Sequence, residues 1–254
     1  MAVDINIIDK EFKEYIKNYD LDNKDIYLKY EHTFEVVSVM EKICNKMNLS
    51  EEKISLAKAI SYFHDLGRFE QLRSTNTYRD DLLDHAEYGA DLLIKEDYIK
   101  KFSIDDKYYT IIEKAVRYHN KLSVNEDLTE EEELFVKLIR DADKVDIYRV
   151  MVKFFENNFL VEPTKKVLDD FYSHKAINKK DIKNKSDSLL CQMAFTFDIN
   201  YEESKEVLRE TKYYQKFIDS INVGEDVKEI FKSVKEEIYN YLNIEEWYYV
   251  RYKI

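Results

Sequence analysis

Histidine and aspartate recur in the first half of the chain in an order that metal chemistry could use. Four of the five histidines, His32, His64, His85 and His119, fall with Asp65 and Asp143 on the inward side or at the end of a helix that apolar periodicity predicts. Any one of these histidines alone reads as a core imidazole hydrogen-bonded to a carbonyl. The set reads differently, because burying several imidazoles and two carboxylates is costly unless something compensates them, and a metal cluster compensates all of them at once. Imidazole and carboxylate without thiolate suit a divalent transition ion, Fe, Mn, Co, Ni or Zn, in a site with open positions, while Mg alone would prefer more oxygen. The adjacent pair His64-Asp65 is the most specific piece. Consecutive side chains on a helix diverge by about 100°, so both reach one cluster only from a helix end or a distorted turn, and Gly67 supplies such an end.

The elements that must position these residues are helical. Tyr30, Phe34, Val37, Met40, Cys44 and Met47 form an amphipathic stripe over residues 27–48, with His32 near its start. A second helix opens at Ser50 and runs through Ile54, Ala57 and Ile60 to His64. The segment RFEQLRSTNTYRDDLLD is polar and reads as a loop crossing an opening. One helix from about Asp84 carries His85, Gly89 and Leu92 along one side, and another from about Asp105 carries Ile112, Ala115, Val116 and His119. Thr129 and Glu132 have the form of a capping box opening a long helix on which Phe135, Ile139 and Asp143 recur every four residues. Pro163 and the lysine-rich HKAINKKDIKNKSD follow, and the reading divides the chain into a metal-binding core at 1–160 and a helical extension at 161–254, packed on that core. Helical periodicity returns in LLCQMAFTFDINYEESKEVLRE and from Val227 to the end, and no internal repeat is evident.

Other residues near the ligand positions are weighed against plainer roles. Arg68, Arg73 and Arg79 could clamp phosphate oxygens or simply solubilise the surface, with Arg68 favoured because it follows the His-Asp pair so closely. Asp146 could hold a ligand in place, give a proton to a leaving group, or pair within its helix with Lys144. Asp65, Arg68 and Asp146 are therefore the candidate catalytic residues. Lys121 reads as a complement to a helix dipole, His174 as solvent-exposed, and the 21 tyrosines and 14 phenylalanines mainly as packing.

Composition agrees with an all-α chain of 254 residues: three glycines and one proline disfavour many-turned β architectures. Cys44 and Cys191 read as reduced core thiols. No signal-like or membrane-spanning run is present, so a cytoplasmic location with no membrane partner is expected. A net charge of −12 repels phosphate polymers and argues against long nucleic acids, while a small phosphate ester could still bind where metal ions make a pocket locally positive. An oligomer is compatible with the sequence.

The residues carry a resemblance. His32, His64-Asp65, His85, His119 and Asp143 follow the H…HD…H…H…D order of the HD-domain superfamily of metal-dependent phosphohydrolases, over roughly residues 25–150. FHDLGR at 63–68, DHAEYGA at 84–90, VRYHN at 116–120 and RDADKVD at 140–146 are similar to its motifs. The resemblance implies a helical bundle with one or two divalent ions, in which His32, His64, Asp65 and Asp143 hold one metal, and Asp65 bridges to a second, where Mg is possible, that His85 and His119 help to bind. It also implies hydrolysis of a phosphoester or phosphoanhydride in a small phosphorylated, nucleotide-like metabolite by a metal-held water or hydroxide. The stretch NKLSVNEDL after His119 lacks the second histidine and the DGxGYP run of the cyclic-di-GMP phosphodiesterase branch, and LGRF lacks the paired acidic residues of the guanosine-tetraphosphate hydrolases. VRYHN and HAEYGA resemble the symmetrical dinucleoside-tetraphosphate hydrolases, from which the long C-terminal extension departs. The alternatives are a di-iron oxygenase built on the same ligands and a regulatory HD module whose metals are structural.

Overall fold

The computed structural model describes residues 3–124, 127–154 and 160–244, and among these no strand occurs. The all-α expectation, a helical bundle followed by further helices, is what the chain adopts. The chain forms two compact units, residues 1–146 and 147–254, whereas the sequence reading divided it at 160/161.

The first unit begins with α1 (Ile5–Ile16), α2 (Lys24–Lys46) and α3 (Glu51–Phe63). Each starts where a side chain satisfies otherwise orphaned backbone donors. Asp4 accepts from Asn6 N at 2.9 Å, Asn23 from Asp25 N at 2.9 Å and Ile26 N at 3.3 Å, and Ser50 from Lys53 N at 3.4 Å. Then come α4 (Leu66–Thr75), α5 (His85–Ile94) and α6 (Tyr109–Tyr118). Helix α2 packs on α3, α4 on α5, and α5 on α6. Phe12 anchors an aromatic core beneath them, in ring contact with Tyr30, Phe34, Tyr62 and Phe69. The capping box opens α7 (Glu130–Phe154) as expected: Thr129 N donates to Glu132 at 2.8 Å, and Glu132 N to Thr129 Oγ1 at 3.3 Å.

Two local expectations are corrected. Gly67 does not end the helix leading to His64, since α3 stops at Phe63 and Gly67 lies in the first turn of α4. The break is at Asp65 itself, whose φ of −107° and ψ of 16° are not helical. The polar segment after it is a loop only from Asn76 onward. Up to Thr75 it is helix, because Leu66, Phe69 and Leu72 form a buried stripe at three-residue spacing, and the helix closes on Asn76 in the left-handed conformation at φ 51°.

Gly67 has another purpose. A Cβ built there would stand 2.1 Å from the His85 carbonyl oxygen and 2.8 Å from Gly89 N, and one on Gly89 would stand 3.2 Å from Gly67 N. The two glycines let α4 and α5 cross backbone to backbone, which sets Arg68 beside His85.

The second unit contains α8 (Lys165–Tyr172), α9 (Lys185–Met193), α10 (Glu202–Thr211), α11 (Tyr213–Ser220) and α12 (Lys228–Tyr241). Its core includes Phe171, Leu190, Met193, Leu208, Phe217, Phe231 and Ile238. The buried Asp187 carboxylate ties the entry to this unit, accepting from Thr164 N at 2.7 Å and Lys183 N at 2.9 Å. The expected helix from Val227 is α12, and the part of that expectation beyond residue 244 lies outside the described residues.

The glycine crossing makes an ordered prediction. Alanine is normally favoured over glycine inside a helix by about 1 kcal/mol, yet Gly67→Ala should destabilise by roughly 1–3 kcal/mol or more, because rigid backbone must shift. Gly89→Ala should cost less. Urea denaturation tests the order, and a Gly67→Ala protein as stable as the parent would refute the close crossing. The cysteines make a second prediction, since Cys44 and Cys191 are free, buried and in different units. Burial raises both thiols, Cys44 to about 12. Neither should react with a thiol reagent in native protein, and each should report the opening of its own unit in urea; rapid labelling of the native state would contradict this.

Candidate metal centre

Six side chains from six helices or their ends meet in the first unit. His32 projects from α2, His64 and Asp65 occupy the break between α3 and α4, His85 is the first residue of α5, His119 caps the end of α6, and Asp143 comes from α7. None of the imidazoles is more than 4% exposed, and Asp65 is 2% exposed. Asp143, with 24% of its side chain exposed, is the member of the set that meets solvent.

Each histidine is held by the same ring nitrogen. His32 Nδ1 lies 2.7 Å from Asp146 Oδ2, His85 Nδ1 2.7 Å from Asp80 Oδ1, His64 Nδ1 2.7 Å from the Ser61 carbonyl and His119 Nδ1 2.7 Å from the Val116 carbonyl. These acceptors require a proton on Nδ1, which assigns the tautomer and turns every Nε2 inward. For His64 and His119 the acceptor is a carbonyl three residues back at a helix end, where such oxygens lack an intrahelical partner. The position of a histidine at a helix end thus orients the ring.

The Nε2 atoms converge on Asp65. Its Oδ2 lies 3.8 Å from His32 Nε2 and 3.5 Å from His64 Nε2, and its Oδ1 lies 3.3 Å from His85 Nε2 and 3.8 Å from His119 Nε2. Asp143 Oδ1 stands 3.0 Å from His32 Nε2 and 4.0 Å from His64 Nε2. Two donor groups result, His32, His64 and Asp143 on one side and Asp65, His85 and His119 on the other. A third, Asp80, Asp84 and His85, shares the last histidine.

A cation fits this arrangement on internal grounds. His64 Nε2 is buried without a hydrogen-bond partner. His119 Nε2 lies 3.0 Å from His85 Nε2, and with both Nδ1 protons committed elsewhere and Arg68 Nη2 donating to His85, the His119 lone pair finds no proton there. Such groups are costly to bury unless an electrophile lies between them.

Protonation points the same way for three of the four imidazoles. Burial pushes His64, His85 and His119 down, the last to about 3, so their nitrogens are free to ligate. Burial and the Lys29 ammonium also work against a charged His32, but Asp143 and Asp146 outweigh them and raise it. Burial alone would raise the carboxyls of Asp65 and Asp143; Lys29 beside the first and the His32 hydrogen bond to the second instead hold both well below the usual carboxylate range.

Arg68 belongs to the cluster. Its Nη2 donates to His85 Nε2 at 3.0 Å, its Nε lies 3.7 Å from Asp65 Oδ1, and its Nη1 meets Gln71 and, at 3.4 Å, Asp80. The other two arginines do not: Arg73 pairs with Glu70 and Arg79 with Asp81, both largely exposed. Lys121 pairs with Asp84 and Glu87, Lys144 donates to the Arg140 carbonyl, and His174 lies in the second unit, exposed and paired with Glu237.

Several contributors escaped the sequence reading. Lys29 puts Nζ 2.7 Å from Asp65 Oδ2, a contact foreshadowed by its position one turn before His32. Asp80, in the loop five residues before His85, had no periodic pattern to mark it. Arg140 donates to the Tyr118, His119 and Lys121 carbonyls and so secures the end of α6 that carries His119.

Residues 30–148 match the family model of the HD domain. No curated protein and no solved structure matches the chain. Domain and buried His/Asp groups together suggest divalent metal binding. Added Mn(II) or Fe(II) should raise the melting temperature, and Asp65→Ala should lose the most metal. His85→Ala and His119→Ala should selectively weaken one of two ions, and Asp146→Asn, by loosening His32, should lower affinity about 10–100-fold. Metal analysis after anaerobic purification tests this. A parent protein that retains and binds no transition metal, with Asp65→Ala equally stable, would mean that there is no centre.

Proposed function

The chain belongs to the HD-domain superfamily through residues 30–148, and from that premise we propose that it is a metal-dependent phosphohydrolase acting on a phosphoester or phosphoanhydride of a small, nucleotide-like metabolite. The observation that carries the reading is Asp65, whose two oxygens face different pairs of histidines. In this reading His32, His64, Asp65 and Asp143 hold one ion, and Asp65, His85 and His119 hold a second. Bound there, the ions supply Lewis acidity and positive charge, which draw the pKa of a coordinated water toward about 7 and offset charge on a phosphoryl group.

The protein's own residues do the rest. His64 and His119 are held by backbone carbonyls, so their lone pairs stay aimed at the centre without reorganisation. Asp146 acts through His32: it fixes the ring and is a positioning residue rather than a proton donor to substrate. Arg68 presents a guanidinium held by Gln71 and Asp80, the geometry suited to orienting a phosphate. Tyr78 stacks over it at 5.5 Å and is tethered through its hydroxyl to Asp25 at 3.0 Å, which shields that side from water. These cations matter because the chain as a whole carries −12. An anionic substrate meets a favourable sign only locally, which supports small phosphates over long polymers. No helix among the described residues is long and apolar enough to cross a membrane.

Hydrolysis should require metal and stop on chelation. Arg68→Ala should raise KM if its contact forms in the ground state, or lower kcat if it forms chiefly in the transition state. A screen of phosphomonoesters, mononucleotides and dinucleotides with Mn, Fe, Co, Ni and Mg tests the assignment. Efficient cleavage of duplex DNA or structured RNA, with small phosphates untouched, would overturn the substrate class while leaving the centre standing. Iron-dependent oxygen consumption would replace hydrolysis with oxygenation.

A further inference from the structure

Asp65 is engaged by two side-chain cations of unlike character, and neither is a metal ligand. Arg68 approaches Oδ1 with Nε at 3.7 Å while its other nitrogens are fastened to Gln71, His85 and Asp80. Lys29 approaches Oδ2 with Nζ at 2.7 Å, a direct ion pair in which the lysine side chain is 11% exposed and the aspartate 3%. The oxygen it holds is the one that faces His32 and His64.

We propose that Lys29 is a resident cation of the centre: it occupies Asp65 Oδ2 while the protein is metal-free, is displaced by the ion that takes up this oxygen, and is then released to meet the anionic substrate. This rests on the two-ion reading above. An ammonium 2.7 Å from the oxygen and a divalent ion bound to the same oxygen would stand within a few ångström of each other in a poorly screened site, and their repulsion weakens the lysine's hold on it. The ammonium gives way. Lysine is suited to leaving, since its charge sits at the end of a flexible stem, whereas Arg68 has only to withdraw Nη2 from His85 Nε2 and stays fastened to Gln71 and Asp80.

The exchange resolves two demands. Without metal, an ionised carboxylate this deeply buried needs a partner, and Lys29 provides one so that the first unit folds before an ion arrives. With metal, the displaced ammonium lies one helical turn before His32, close to the centre and without its carboxylate. There it adds a positive charge that only the loaded site offers to a phosphate.

Competitive acetylation of the full-length protein, read by peptide mass spectrometry, follows the Lys29 amine directly. Labelling at Lys29 should be slow in metal-free protein and rise several-fold with saturating Mn(II), while Lys10, 74% exposed, stays constant. Calorimetric titration gives a second readout. Lys29→Met should bind Mn(II) about tenfold more tightly or better, because its metal-free state leaves Asp65 Oδ2 without a cation. It should also melt lower than the parent without metal and level with it when loaded. Lys29→Arg, which keeps a cation, should bind no more tightly than the parent. If Lys29→Met folds only when refolded with Mn(II), the same dependence has appeared through folding. Unchanged Lys29 labelling in a protein that binds Mn(II), or weaker binding by Lys29→Met, overturns the exchange and leaves the centre intact. Absence of binding of Mn(II), Fe(II), Co(II) and Ni(II) by the parent overturns both.

Discussion

The structure of the first unit turns on a carboxylate that is ionised where water scarcely reaches it. Asp65 is 2% exposed, and both of its oxygens are surrounded by groups that bring positive charge or a lone pair requiring a cation. A buried charge of this kind is tolerable only when its surroundings answer it from every side. Helices α2, α3, α5, α6 and α7 each end, begin or turn a face at this point, and α4 starts from the residue itself. The break between α3 and α4 therefore positions charge. A continuous helix would have sent His64 and Asp65 in directions about 100° apart.

The buried His/Asp cluster was legible in the sequence because its residue types contradict their surroundings. An imidazole at an apolar helical position needs a reason, and four such imidazoles with two carboxylates need a common one. The capping box at Thr129 and Glu132 was legible because both halves of its hydrogen bonding lie within four residues. What escaped depends on pairs distant along the chain. Lys29 and Asp65 are 36 residues apart, and the place of Lys29 one turn before His32 does not name Asp65 as its partner. Gly67 illustrates a different limit: a glycine after a helix looks like a stop, while its purpose, the approach of α4 to α5, depends on atoms of His85 and Gly89. The polar composition after the His-Asp pair concealed a short helix whose three inward residues were too few to stand out.

Charge within the unit is arranged against the sign of the whole chain. In a chain of net charge −12, Lys29 and Arg68 flank the buried Asp65 and answer its charge, while other basic groups are turned to scaffolding. Arg140 closes the end of α6, and Lys121 braces the start of α5 through Asp84, whose other oxygen caps that helix. The same residue type thus serves either ligand or backbone, according to what lies within its reach.

The four histidines are oriented by two kinds of acceptor, and the difference bears on how such a centre would age under random substitution. His32 and His85 depend on the carboxylates of Asp146 and Asp80, which a single nucleotide change can replace. His64 and His119 depend on main-chain oxygens of Ser61 and Val116, which persist whatever side chain the codon specifies. Drift would therefore erode the site unevenly. One ring in each metal-facing pair is exposed to genetic loss of its support and the other is sheltered, so a decaying lineage would first pass through loosely held rings on both sides while a half-set of rigid ones endured. A lineage in that condition could regain the full centre by restoring those two carboxylates, without rebuilding the helices around it.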